Sequence, residues 1–157
     1  MNQRNRLTAV ATKRQMNLLK NPVWRAYARQ PMAQTQQVDL ALAAHAAFDE
    51  ITQGRGTDSH VDTIAMACNV ALMLAERGFG PECEPKIIEA QLAVMRIKAR
   101  QMQGKAIGMD GPGAQALRDM LATQVQQIEQ AGQVEVGDAV LEVRARMLRG
   151  DVMEVAL

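Results

Sequence analysis

The chain has 157 residues, 48% of them apolar, with 18 Lys/Arg against 17 Asp/Glu and a formal net charge of +1. One domain of ordinary core size is expected; the apolar fraction is that of a globular chain, and two cysteines do not make a disulfide framework. No apolar run reaches the roughly 20 residues that a spanning helix needs, so no membrane segment is expected.

The near-neutral total conceals a division. Arg4, Arg6, Lys13, Arg14, Lys20, Arg25 and Arg29 precede the first acid, Asp39, so a start of formal charge +7 is followed by a remainder of −6. Residues 1–31 therefore read as a basic N-terminal arm, and 32–157 as the folded body. Lys13, Arg14 and Gln15 interrupt the apolar residues that a secretory leader would need in one run. A mitochondrial presequence would be rich in serine, and Ser59 is the only serine present. The expected location is the cytoplasm, with Cys68 and Cys83 reduced.

Within the arm, Asn21-Pro22 stops any helix from Leu7 to Lys20 and starts a two-turn segment, Val23–Arg29, that Pro31 closes. Trp24 and Tyr27 share one of its faces, as do Arg25 and Arg29. These two rings are half of the four aromatic side chains in the protein.

Ala, Leu, Met, Gln, Glu and Arg dominate the body, which predicts an all-α fold. The first body helix is expected from Thr35 to Gln53, with Val38, Ala41, Leu42, His45, Phe48 and Thr52 on its buried stripe. The second follows Gly54–Ser59, capped by Asp58 or Ser59. It continues through Val61, Ile64, Ala65, Cys68, Ala71, Leu72 and Ala75 to Arg77-Gly78. The third takes Pro85 into its first turn and carries Ile88, Leu92, Met95, Ala99 and Met102, with Ile87, Val94 and Ile97 beside them. Its wide apolar face predicts a central helix. The fourth, from Pro112 to Ala131, buries Leu117, Met120, Leu121, Val125 and Ile128. The fifth, from Val134 to Arg149, buries Val136, Val140, Val143 and Met147. Similar lengths and short links predict an up-and-down bundle of four to five helices with the basic arm attached.

Candidate chemistry is sparse. His45 and Asp49 lie four apart on one helix, and His60 and Asp62 open the next, a set from which a metal-dependent enzyme could be built. Against that, His45 falls on the expected apolar face, and a first-turn acid is explained by the helix dipole. Cys68 reads as core, whereas Cys83 precedes a helix N-terminus, with Glu82 and Glu84 opposing any thiolate there. The glycine-rich stretch 104–113 lacks the spacing of a phosphate loop and the acids of a calcium loop, so it reads as a turn between caps. No cofactor, catalytic residue or metal ligand is assigned.

Gly54-Arg55-Gly56-Thr57-Asp58, Asn69-Val70-Ala71-Leu72, Leu74-Ala75-Glu76-Arg77-Gly78 and Asp110-Gly111-Pro112-Gly113 together resemble a group of small uncharacterised proteobacterial proteins of phage, prophage and plasmid type, over roughly residues 39–120. The resemblance implies an accessory protein of a mobile element, a binder or inhibitor of host machinery rather than an enzyme. It implies no catalytic residues and no fold.

The expected function is non-catalytic binding or regulation. Arg4, Arg6, Lys13, Arg14, Trp24, Arg25, Tyr27 and Arg29 would contact an acidic protein surface or nucleic acid, since cations neutralise phosphates and aromatic rings stack on bases or anchor interfaces. The alternatives are a nucleic-acid-binding regulator proper, a homo-oligomer whose arm packs on a neighbouring subunit, and last the metal-dependent enzyme.

Overall fold

The computed structural model describes Gln30 and residues 33–150. Five α-helices follow in order: α1 (Gln34–Thr52), α2 (Asp58–Glu76), α3 (Glu84–Met102), α4 (Gly111–Gln130) and α5 (Gln133–Arg149), with a 3₁₀ turn at Pro81–Cys83 before α3. No strand occurs among the described residues, and the fold is an all-α bundle.

The helix ends lie where the punctuating residues put them. After α1, α2 and α3 the chain turns through Gly54, Gly78 and Gly104, with φ of 74°, 94° and 72°, a region that side chains disfavour. In each turn the glycine N–H and the next N–H reach back to the last helical carbonyls, as with Gly78 to Ala75 at 2.9 Å and Phe79 to Leu74 at 3.0 Å. The start of α2 differs slightly from expectation. Its cap is Thr57, whose hydroxyl accepts from the His60 N–H while Nδ1 of His60 accepts from the Thr57 N–H. At α4 the carboxylate of Asp110 accepts from the Gly113 N–H at 2.7 Å, so the glycine-rich stretch is a turn ending in a cap.

Helices α1 to α4 form an up-and-down arrangement. The end of α3 meets the beginning of α2 through Lys98 on Asp62 and Gln101 on Asp58, so these two run antiparallel. Gln124 and Gln127 of α4 donate to the carbonyls of Ala67 and Ala71, so α4 runs parallel to α2. Helix α2 is the centre, touching all four other helices, while α3 packs mainly on α2 and α4. This corrects the expectation that α3 is central. Its inner face is Ile87, Ala90, Gln91, Ala93, Val94 and Ile97. The stripe of Ile88, Leu92 and Met102 points outward, Leu92 at 42% and Met102 at 68% exposure.

Helix α1 is also rotated from its expected register. It buries Ala44, Ala47, Phe48 and Ile51, whereas Leu42 is 61% exposed and His45 and Thr52 face solvent. Alanines on the true face let α1 approach α2 closely, and Phe48 also meets α4, where Arg118 lies over its ring at 5.7 Å. On α5, Val136, Ala139 and Val143 are buried, but Met147 is exposed.

Two contacts fix the elements against each other. The Gln127 amide, 2% exposed, donates both to Ala71 O of α2 and to Phe79 O of the turn beyond it, at 3.0 and 2.8 Å. At the other end of the bundle, a Cβ at Gly56 would come within 2.7 Å of Ile107 Cγ2 and 2.9 Å of Ile51 Cγ1, so the α3–α4 connection rests directly on the α1–α2 turn. Replacing Gln127 with Leu leaves the Phe79 carbonyl without its side-chain donor and should cost roughly 1–3 kcal/mol in urea unfolding. Gly56→Ala should cost about 1–3 kcal/mol by overpacking, and a Gly56→Ala/Ile107→Ala double variant, which lacks the Cγ2 methyl in the way, should cost less than the sum of the two single variants.

Candidate functional site

The eight arm residues Arg4, Arg6, Lys13, Arg14, Trp24, Arg25, Tyr27 and Arg29 lie outside the described residues, as does the C-terminal stretch 151–157. The place where the arm joins the body is described. The carbonyl of Gln30 accepts from the N–H of Gln133 at 3.0 Å. Gln133 is the first residue of α5, one of the positions whose N–H has no partner within its own helix. The base of the arm is thereby held at the α4–α5 turn, a few residues before α1 begins.

The suggested metal set does not assemble. His45 and Asp49 are exposed on α1, His60 is engaged in capping α2, and Asp62 pairs with Lys98 at 2.8 Å. Among the described residues, no three His, Cys, Asp or Glu side chains are grouped to hold a metal ion. His45 was expected on the buried stripe; the rotation of α1 places it outside.

Both cysteines are free. Cys68 is fully buried, and removal from water pushes its thiol up to about 12, so it stays protonated at neutral pH. Near the α1–α2 turn, the Arg55 guanidinium makes two hydrogen bonds to Glu50, at 2.7 and 2.9 Å, and holds that carboxyl below its ordinary range. The pair is exposed and belongs to the turn.

A groove of about 680 Å³ lies between α1 and α5. Asp39, Leu40 and Ala43 of α1 form one wall, and Val136, Val140 and Arg144 of α5 the other. Met66, Ala67 and Val70 of α2 and Ile128 of α4 make an apolar floor, with Ser59, Asp62, Thr63 and Gln124 also lining it. The groove exists because α1 and α5 each pack on α2 from different sides without closing over it. Its volume suits an organic ligand or the side chains of a docked segment, and its lining is mainly apolar with a few polar groups at the edge.

Sequence reading missed this groove. One signal was present: Met66 and Val70 are four apart on α2, off the stripe that runs through Ile64, Cys68 and Ala71. A helix with apolar residues on more than one side has more than one neighbour. The α3 stripe expected in the core is a further exposed apolar surface among the described residues.

Comparison with protein-family models, curated proteins and solved structures returned no match.

Burial of Cys68 has a consequence for stability in alkali. Its thiol binds a proton more tightly when folded than when unfolded, so its contribution is fully present below the unfolded value near 9.0 and is lost as pH rises towards 12. Between pH 9 and 11, wild-type unfolding free energy should fall by up to about 1.4 kcal/mol per pH unit more than that of Cys68→Ala. Urea melts of both proteins across that range provide the check.

Proposed function

We propose that this is a non-catalytic binding protein in which a helical body presents a basic arm to an acidic protein surface. The observation that carries the reading is the separation of charge together with the fixed base of the arm: seven cations precede Gln30, and Gln30 is bonded to the first residue of α5. The bond fixes where the arm joins the body, beside the first turn of α5.

Several features favour a protein partner over nucleic acid. Many body cations are engaged at home, as in Arg55–Glu50, Lys98–Asp62 and Arg146–Glu142. The body adds net negative charge, which opposes a second contact with phosphates. Trp24, Tyr27 and the arm arginines are residue types that anchor protein interfaces. The likeness to phage, prophage and plasmid proteins supports an accessory role in a mobile element, directed at host machinery.

A second reading, self-association, is favoured by the outward stripe of Ile88, Leu92 and Met102 on α3, an apolar surface of the kind homo-oligomers cover. In that reading the arm packs on a neighbouring subunit.

Pull-downs from host lysate with the full chain and with residues 31–157, each with and without nuclease, test the first reading. The expected result is a protein captured by the full chain, retained after nuclease, weakened by salt and lost on truncation. Capture abolished by nuclease would transfer the reading to nucleic acid, and capture unaffected by truncation would end the role of the arm. Light scattering of the same two proteins and of Leu92→Glu addresses the second: self-association through α3 requires loss of mass in Leu92→Glu.

A further inference from the structure

We propose that the outward face of α3 is the seam of a homodimer in which two copies of this helix lie antiparallel, about a two-fold axis between Leu92 and Met95. The inference rests on the second reading above, self-association through α3, and gives it an orientation and a register. It makes no use of the arm.

The first ground is spacing. Ile88, Leu92, Met95, Ala99 and Met102 follow one another at intervals of four, three, four and three residues, the repeat by which two helices keep an apolar seam in contact. Pro85, seven residues before Leu92, carries the same repeat into the first turn. The subunit's own core uses the other side of α3, through Ile87, Ala90, Ala93, Val94 and Ile97. The seam is left over: Ile88, Leu92 and Met102 are 39%, 42% and 68% exposed. From Ile88 to Met102 it runs about 21 Å.

The second ground is that one flank of the seam is already engaged and the other is free. On the engaged side, the Gln91 amide donates to Asn69 Oδ1 at 2.9 Å and Lys98 meets Asp62 at 2.8 Å, both on α2. On the free side stand Glu89, Arg96 and, slightly further round, Arg100, all exposed. Among the described residues Glu89 and Arg100 make no ion pair, and Arg96 makes only a loose one to Asp110, at 3.9 Å. In a parallel pair each flank would meet the opposite flank of the other copy, so Glu89 would face side chains turned inward to α2. A two-fold axis perpendicular to both helices instead brings each flank onto its own copy.

The third ground is the charge that this symmetry brings together. With the axis midway between Leu92 and Met95, Leu92 packs on the partner's Met95, and Ile88 meets the small side chain of the partner's Ala99. Glu89 then falls midway between the partner's Arg96 and the partner's Arg100, about 3 Å along the helix from each. Symmetry makes the same contact twice. The acid lies in the N-terminal half of the helix and the arginines in the C-terminal half, so the flank complements itself only when the helices are opposed, an arrangement that the helix dipoles also favour. A seam one helix wide falls short of the roughly 1,600 Å² of a standard interface, so the dimer should dissociate in the micromolar range.

Sedimentation equilibrium of the full chain from about 1 to 500 μM tests this, with Leu92→Glu, Glu89→Arg and Arg96→Glu/Arg100→Glu, all at exposed positions and each checked for folding by circular dichroism. Each charge variant alone sets like charges across both ends of the seam and should weaken the dimer roughly tenfold or more. An equimolar mixture of the two should regain the wild-type affinity, because each subunit then offers the charge that the other requires. Arg100→Glu alone, which leaves Arg96 beside the cap at Asp110, should weaken the dimer less and complement Glu89→Arg in the same way. Monomer mass for the wild type throughout, or a dimer undiminished in Leu92→Glu, would end self-association through α3 and this proposal with it. Loss of the dimer in Leu92→Glu, together with charge variants that dimerise as the wild type does or a mixture no tighter than its components, would overturn the antiparallel register and leave self-association through α3 standing.

Discussion

The arrangement depends on two buried amides. Gln124 and Gln127 project from α4 into the side of α2 and donate to main-chain carbonyls there, and Gln127 continues to the carbonyl of Phe79. Apolar ridges tolerate small slides against one another, because dispersion is nearly as good one ångström along. A buried amide that must find particular carbonyls does not, since losing its partner costs the full desolvation of the group. These contacts fix α4 along α2 and fasten the turn that leads to α3, so three helices take their positions from one stripe.

That constraint also explains why α2 is the centre. The carbonyls that receive the amides belong to Ala67 and Ala71, whose small side chains allow α4 to come close enough. Ala75, Cys68 and Leu74 are likewise buried on α2, so the helix has little surface left for solvent. Helices α1 and α5 then share what remains. Each covers part of α2, and the Met66–Val70 strip between them is left as the floor of the groove.

The legible parts of the sequence were the helix ends. Proline, glycine and capping side chains act within a few residues, so Gly54, Gly78 and the turn at 104–113 could be placed without knowing what lies nearby. Register was less legible because it is decided by neighbours. On α1 a run of alanines makes several faces almost equally apolar, and the stripe through Leu42 and His45 looked as good as that through Ala44, Ala47 and Ile51. On α3 the outward Ile88–Leu92 stripe is larger than the inward one, where Ala90 and Ala93 are small because other helices approach there. The glutamines of α4 were read as helix formers, although Leu117, Met120, Leu121, Gln124, Gln127 and Ile128 continue a single i, i+3, i+4 series. The groove is a relation between α1 and α5 that neither helix reveals alone.

The charge division and the groove differ in what they contribute. An exposed ion pair such as Arg149–Glu142 is worth about 0–1 kcal/mol, since water and salt screen both partners. Seven arm cations beside an acidic body would therefore be drawn towards it without being held in any one place, and the attraction would weaken at physiological ionic strength. Apolar contact behaves in the opposite way: it gives no direction from a distance, but an aromatic ring removed from water resists salt and holds a position. A segment with both kinds of residue can be guided to a partner by its charge and retained there by its rings. Both properties suit an acidic partner, and the firmness with which such a partner would be held is set by apolar area rather than by the number of charges.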